Sequence, residues 1–460
     1  MDIGVIGAGY VGLTTAACLA EIGHRVFCAD NDPQKLDLLH KGDMPFFEPY
    51  LAGIVGRNRN EGRLEFTSTE AAIDQGEAIF ICVGTPPLDN GEADLSPIER
   101  VARTIAHQAA GYRLVIEKST VPVQTGRQLQ KHLSLYRANH QFQYDLASNP
   151  EFLREGSAIE DFFHPDRIVV GVENSMVGER LREIYRAVLD QSFACPVHAT
   201  CQPRRSVPFV VTDINSAELI KHAANSFLAM KISFINMISD LCEAVRADVE
   251  KVAEGVGMDR RIGASFLRPG IGFGGFCFPK DLQAFVRIGT KFGCDFSLLK
   301  EVERINLNRV THFVNKVKEE LWVLRGKKLG IWGLAFKPNT DDIRFAPALA
   351  IARQLLAEGA EIQAYDPQAM SKAKSELSGV TFCQDPYEAA TGAEAVLALT
   401  EWEEFQHVDL DRVRTLMVRP LIIDGRNMFS RETLTEHGFE YVDFGRRATG
   451  GKVAAQLPEA

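Results

Sequence analysis

The stretch IGVIGAGYVGLTTAACLAEIGHRVFCAD, residues 3–30, decides the fold. An apolar, strand-like run leads into Gly7, Gly9 and Gly12 in the spacing G-x-G-x-x-G, and a helical pattern opens directly behind them. In such a strand–turn–helix unit each glycine has its own task. The first permits the tight turn, the second lets backbone approach a pyrophosphate, and the third lets helix press on strand. The helix N-terminus then faces the phosphate charge. Asp30 closes the next strand-like run, where a carboxylate hydrogen-bonds a ribose 2′-OH and repels a 2′-phosphate. The spacing predicts a dinucleotide site that takes NAD rather than NADP.

Outward from this unit, the chain to about residue 200 keeps alternating short apolar runs with helical patterns. RVFCAD, AIFICVG, RLVIEKST and RIVVGV read as buried parallel strands linked by helical crossovers. The strand ends CVGTPP (82–87) and EKSTVP (117–122) put Thr85 and Thr120 at the carboxyl edge of the sheet, where open α/β sheets bind ligands. From about 206 to 260 the pattern is helical, beginning DINSAELIKHAANSFLA. Asn215 with Glu218 resembles a capping box, and apolar residues at 219, 220, 223, 224, 227 and 228 mark the face expected to be buried. A second α/β pattern starts near Gly326 with KKLGIWGLAF, ALAIARQLLAEG, EIQAYDP, EAVLALT and PLIIDGR. The expected division is 1–205 and 311–445 as α/β domains, 206–310 as a helical domain carrying the cysteine loop below, and 446–460 as a disordered tail.

Composition agrees. At 460 residues the chain is too long for one ordinary core, and 24% charged with 45% apolar residues is a globular balance. A net charge of −10 argues against a surface for nucleic acid polymers. No apolar run reaches the ~18 residues of a membrane span, and no signal peptide is read, so a cytoplasmic protein with no membrane partner is expected. The nine cysteines are scattered, odd in number and contain no C-x-x-C pair, so neither a disulfide framework nor a metal site is expected.

One thiol stands apart. GIGFGGFCFPKD, residues 270–281, sets Cys277 among glycines, which admit close contact between backbone and substrate. Lys280 follows three residues on and can lower a thiol pKa if the loop brings the two together. A dinucleotide site and a nucleophilic cysteine in one chain suggest two successive hydride removals with a thioester between them, which also requires an oxyanion stabiliser and a base. Lys221 and Asn225, at i and i+4, can point together at one ligand atom, although a solvated surface pair is the ordinary reading of that spacing. In SNPEFLREGSAIEDFFHPDRIVVG, Pro150 before Glu151 suits a helix start, and a partly buried Glu151 or Glu155 would be a base.

GVIGAGYVGL, CVGTP, EKSTVPV, NPEFLREG, SAELIKHAANSFLA, GFGGFCFPKD and GLAFKPNTDDIR, in this order, resemble the UDP-glucose dehydrogenase family, within the wider UDP-glucose/GDP-mannose dehydrogenase group. The resemblance covers nearly the whole chain. It implies two Rossmann-like domains with mainly parallel sheets, joined by a long helix that forms the dimer. It also implies NAD-dependent four-electron oxidation of UDP-glucose at C6. Cys277 falls on the family nucleophile, Lys221 and Asn225 on the oxyanion pair, and Asp281 on the carboxylate that activates the nucleophile or water. Thr120 and Glu151 fall on water positioning and general base work. Gly7, Gly9, Val11, Gly12, Asp30, Lys35, Thr85, Thr120, Glu155, Lys280 and Arg344 fall on cofactor contacts. Glu151, Phe152, Leu153, Lys221, Asn225, Phe266, Leu267, Arg268, Pro269, Gly270, Gly274 and Lys337 fall on sugar-nucleotide contacts, and Arg261 on an arginine reaching the partner subunit's substrate.

Two positions depart from the family pattern: Gln124 stands where glycine is common and Phe345 where an acid is usual. Pro279, Lys280 and Asp281 favour UDP-glucose over the amino-sugar branch. GDP-mannose is the alternative substrate, a two-electron hydroxyacid dehydrogenase the alternative chemistry, and a non-catalytic NAD-sensing module the alternative class.

Overall fold

The computed structural model describes residues 1–138, 141–201 and 206–446. Two units form: Met1–Ser226 with Pro279–Phe296 and Asn339–Asp341, and Phe227–Phe278 with Ser297–Pro338 and the chain from Asp342 on. The tail expected to be disordered falls, apart from Arg446, outside the described residues.

In the first unit the strands are β1 (Asp2–Ile6), β2 (Arg25–Ala29), β3 (Leu64–Thr67), β4 (Ala78–Ile81), β5 (Tyr112–Glu117), β6 (Gln143–Ser148), β7 (Ile168–Val172) and β8 (Phe209–Thr212). They make one sheet in the order β3-β2-β1-β4-β5-β6-β7-β8, parallel except where β6 meets β7. β1 and β4 are buried along nearly their whole length, so their sequences read as continuous apolar runs rather than alternating ones. β3, β6 and β8 were not expected. LEFT, QYDLAS and FVVT are short and partly polar, and each gives too weak a period-two signal to stand alone.

The second unit carries β9 (Lys328–Trp332), β10 (Glu361–Tyr365), β11 (Val380–Phe382), β12 (Ala395–Ala398), β13 (Leu421–Asp424) and β14 (Glu440–Val442), all parallel, in the order β11-β10-β9-β12-β13-β14. Its core gathers Trp332, Phe405, Phe313 and Phe444 on the sheet. In both sheets strand order reverses beside the first strand, the crevice where doubly wound folds take ligands. The expected α/β class with two Rossmann-like domains is what the molecule has. No helix among the described residues is long and apolar enough to cross a membrane.

The long helix Ile214–Val245 corrects two expectations. Asp213, not Asn215, caps it, accepting the Ser216 N–H at 2.9 Å. Glu218 instead reaches the N-terminus of the helix Thr125–Leu135, accepting the N–H groups of Gln124 and Gly126 at 2.7 Å each. The buried face is also the reverse of the one expected. Leu219 is 43% and Phe227 58% exposed, while Glu218, Lys221, His222, Asn225 and Ser226 are buried. The exposed apolar stripe continues through Phe234, Met237, Leu241 and Val245. Helical periodicity separates two faces but does not say which one is inside.

Candidate active site

The first βα turn is three residues long, from Ile6 at the end of β1 to Tyr10 at the start of the helix Tyr10–Glu21. Gly7 has φ +105°, and a Cβ on it would stand 2.6 Å from the Cys82 carbonyl oxygen. A Cβ on Gly12 would overlap the Gly7 carbonyl oxygen, whereas one on Gly9 would meet no atom within 4 Å. Two of the glycines are thus closed by the protein and the middle one faces open space. Gly9 is also the N-cap and offers no side-chain hydrogen bond to the helix, leaving its first N–H groups for a ligand. That cradle fits a pyrophosphate. At the end of β2, Asp30 accepts the Ala8 N–H at 2.7 Å, the Asp32 N–H at 3.0 Å and the Lys35 ammonium at 2.8 Å, which fixes its carboxylate at the sheet edge. Val11 is half-buried on the first helical turn.

A polar cluster lies on the buried face of the long helix. The Lys221 ammonium stands 3.0 Å from Glu151 Oε1, both almost wholly buried, and Glu151 Oε2 accepts the Leu153 N–H at 2.5 Å. Lys221 also lies 5.4 Å from the centre of the Phe152 ring, whose face carries the Arg167 guanidinium at 3.6 Å. One turn on, Asn225 donates to Asp281 Oδ2 at 2.6 Å. Lys280 donates to Asp281 Oδ1 at 2.7 Å and approaches the Thr85 hydroxyl at 3.5 Å, and Thr85 donates to the Thr120 carbonyl at 2.9 Å. Taking these charges out of water is expensive, and an ion pair recovers the cost only with good geometry. So much buried charge is a mark of chemistry more than of stability.

Burial alone would raise the Asp281 carboxyl. The charges of Lys280, Lys221 and His222 outweigh it and hold the group below the usual carboxylate range. His222, in contact with the Val121 carbonyl at 2.9 Å and stacked on Phe285, is pushed down by burial first of all. Lys118, pushed down to about 8 by burial, donates to Asn149 at 3.1 Å and Tyr185 at 3.3 Å. Sequence reasoning passed over Lys118 and His222. The available signal was a lysine closing an apolar strand and a histidine on the face that carries Lys221. Glu151 and Glu155 are buried but do not begin a helix. The Glu151 stretch is irregular and the next helix is Ala158–Phe163.

The second unit holds the remaining candidates. Phe266 takes φ +66°, Leu267 and Pro269 are buried, and Arg268 is exposed. Gly270 donates to Asn236 Oδ1 at 2.8 Å while its carbonyl accepts from Arg309 at 2.9 Å. Asn306 brackets Phe273, accepting its N–H at 2.8 Å and donating to its carbonyl at 3.0 Å. Gly274 lies against the Phe345 carbonyl, and a Cβ on Gly275 would sit 2.7 Å from the Phe336 ring. The glycines of this loop therefore serve close backbone approach. Cys277 is not in a loop: it is the first residue of the helix Cys277–Lys291, half-buried. Lys337 lies 5.3 Å from the Phe336 ring centre, Arg344 grips Asp342 through two nitrogens, and Arg261, bonded to Asp259, is 88% exposed. Gln124 and Phe345, the two departures, both have left-handed backbone, with φ of +77° and +51°.

Comparison with known proteins finds three matched regions. Residues 1–189 match the UDP-glucose/GDP-mannose dehydrogenase family NAD binding domain, 215–308 its central domain and 330–431 its UDP binding domain. The chain is 43% identical to a UDP-glucose 6-dehydrogenase of Rhizobium meliloti (strain 1021), over 97% of this chain and all of that one. It is 45% identical to UDP-glucose 6-dehydrogenase YwqF of Bacillus subtilis (strain 168), over 97% and 98%. Among solved structures, a UDP-glucose dehydrogenase of Pyrobaculum islandicum superposes with a TM-score of 0.86 at 37% identity, covering 96% of both chains. A GDP-mannose dehydrogenase of Pseudomonas aeruginosa reaches 0.52 at 27%, over 96% and 99%. By its three domain matches and its full-length relatives, this chain is an NAD-dependent oxidoreductase and belongs to the UDP-glucose/GDP-mannose dehydrogenase family.

Proposed function

We propose that the protein oxidises the C6 alcohol of UDP-glucose to the carboxylate of UDP-glucuronate in two dehydrogenations, consuming two NAD per turnover. The observation that carries this reading is the buried set Lys221, Glu151, Asn225 and Asp281, the last of them on the helix that Cys277 opens. Bound NAD supplies the hydride acceptor. Cys277 acts as nucleophile: its sulfur bonds to the C6 aldehyde carbon to give a thiohemiacetal. Loss of a second hydride leaves a thioester, and water releases the acid and the thiolate. The helix N-terminus favours the thiolate form. Lys221 and Asn225 hold the developing oxyanion. Asp281, kept ionised by its neighbours, orients Asn225 and serves proton transfer. Glu151 is the base for the hydrolytic water, with Thr120 positioning it. Thr85, Glu155, Lys280 and Arg344 complete the NAD contacts, and Phe152, Leu153, Phe266 to Gly270, Gly274 and Lys337 those of the sugar nucleotide.

UDP-glucose is preferred over GDP-mannose because the full-length relatives carry the former's name and the two TM-scores are 0.86 and 0.52. The three-part division into 1–205, 206–310 and 311–445 remains our assignment. So does a homodimer built on the exposed apolar stripe of the long helix, with Arg261 reaching the partner's site. A cytoplasmic setting follows from the substrate and cofactor proposed, and cell fractionation checks it.

The test is to count NADH formed from limiting UDP-glucose and, separately, GDP-mannose. Two per UDP-glucose are expected, with Cys277→Ala inactive and Cys277→Ser retaining an ester-linked product. One NADH with free aldehyde in solution, or full turnover by Cys277→Ala, would overturn the reading.

A further inference from the structure

Away from the polar cluster, and unused by the proposed chemistry, the first unit gathers His164, Cys195, His198 and Cys201 so that one ligand atom of each lies within 4.8 Å of all the others. His164 directly follows the helix Ala158–Phe163. The other three lie in CPVHATC, residues 195–201, between the helix Arg186–Leu189 and β8, where the described residues form no helix or strand. We propose that these four side chains bind one zinc ion in a closed, structural Cys2His2 site.

The distances suit a metal. Zinc takes sulfur at about 2.3 Å and imidazole nitrogen at about 2.0 Å in a tetrahedron, which sets a sulfur–nitrogen edge of about 3.5 Å. The observed edges are 3.3 Å from His164 Nε2 to Cys195 Sγ, 3.5 Å from His164 Nε2 to Cys201 Sγ, and 3.6 Å from His198 Nδ1 to Cys195 Sγ.

The surroundings determine which nitrogen points inward. Gln191 donates its amide to the carbonyls of Phe163 at 2.9 Å and Val188 at 2.7 Å, so its oxygen is left to accept from His164 Nδ1 at 2.9 Å. With the proton on Nδ1, the neutral His164 ring directs its one Nε2 lone pair at two sulfurs. A hydrogen bond can satisfy one sulfur there; a cation serves both as thiolates. His198 shows the same division, with Nδ1 toward Cys195 and Nε2 3.6 Å from Glu160 Oε1. An outer carboxylate or carbonyl on the far nitrogen of each ligating imidazole is the usual support of a zinc site. The His198 N–H also donates to Cys195 Sγ at 3.3 Å, which stabilises a thiolate.

Two thiolates and two neutral imidazoles balance Zn2+, and a tetrahedral S2N2 set selects zinc over harder divalent ions. Four protein ligands leave no open position, so the ion ties the 195–201 segment to the end of the Ala158–Phe163 helix and takes no part in turnover.

The decisive measurement is metal content of untagged, full-length protein purified without chelator from zinc-replete medium. One zinc per chain is expected, with none in the Cys195→Ser/Cys201→Ser double variant. Glu160→Gln should retain the metal with affinity weakened about tenfold. Should the double variant not fold, cobalt-loaded wild-type protein decides: strong visible bands with thiolate-to-cobalt charge transfer support the site. Wild-type protein without zinc, zinc retained by the double variant, or a cobalt spectrum lacking thiolate ligation would each overturn it.

Discussion

The turns after β1 and β9 start alike and end differently. Gly7 and Gly333 both have left-handed backbone, and each N–H returns to the neighbouring strand, Gly7 to Ala29 at 2.7 Å and Gly333 to Tyr365 at 2.8 Å. An aspartate follows the second strand of each sheet, Asp30 after β2 and Asp366 after β10. From there they diverge. The first turn reaches its helix at Tyr10, whereas after β9 the helix begins only at Pro347. Both aspartates are held by their turns, but by different partners: Asp30 takes two N–H groups and the Lys35 ammonium, Asp366 four N–H groups and the Trp402 indole. Strand order therefore does not decide the ligand. Turn length is what differs, and the short first turn brings the N–H groups of its helix directly behind the sheet edge, where an anion can be held. The first unit matches an NAD-binding model and the second a UDP-binding one.

The harshest way to break this contrast is Gly12→Ala. Its methyl would overlap the Gly7 carbonyl, so a stability loss of about 3 kcal/mol or more is expected together with loss of NAD binding, checked by denaturant melts and NAD titration. Binding at wild-type strength would remove the short turn from the account.

Next comes pH. Burial raises the Glu218 carboxyl to about 7, against the backbone N–H groups of Gly126, Gln124 and Thr125. A raised carboxyl favours folding while protonated, so its contribution is full below the unfolded pKa and is lost as pH climbs through about 7. That amounts to roughly 3 kcal/mol between pH ~4.5 and ~7, and Glu218→Gln should flatten this part of the melting profile. An unchanged profile would show that Glu218 is not its source.

Asp30→Asn and Asp366→Asn sharpen the contrast directly. The former should shift preference from NAD toward NADP by about tenfold, or about 1.4 kcal/mol. The latter should leave that preference alone and lower the melting temperature. Equal effects on cofactor choice would erase the distinction. The smallest effect expected is from Gln124→Gly, which relieves left-handed backbone and should stabilise by about 1 kcal/mol in a denaturant melt.

What could be read from the chain follows from how local each signal is. The glycine turn, its helix and Asp30 lie within thirty residues, and their chemistry shows in their order. The long helix was legible as a helix but not in its orientation. Phe227 and Leu219 look like core and face outward, because Lys221 and Asn225 have partners, Glu151 and Asp281, that come from distant segments. β11 and β14, three residues each, are too short to register. The four-residue cluster escaped because a search for paired C-x-x-C spacing passes over C-x-x-H-x-x-C, and its fourth member lies thirty-one positions upstream of Cys195.

Glu218 has one more consequence. It latches the long helix to the N-terminus of the helix Thr125–Leu135 less than one turn before Lys221. One residue inserted between them would swing every later side chain by about 100° and carry Lys221 away from Glu151. Along 218–225, then, drift in residue identity should be better tolerated than any change of length, and spacing rather than composition is what natural variation in this segment would be expected to preserve.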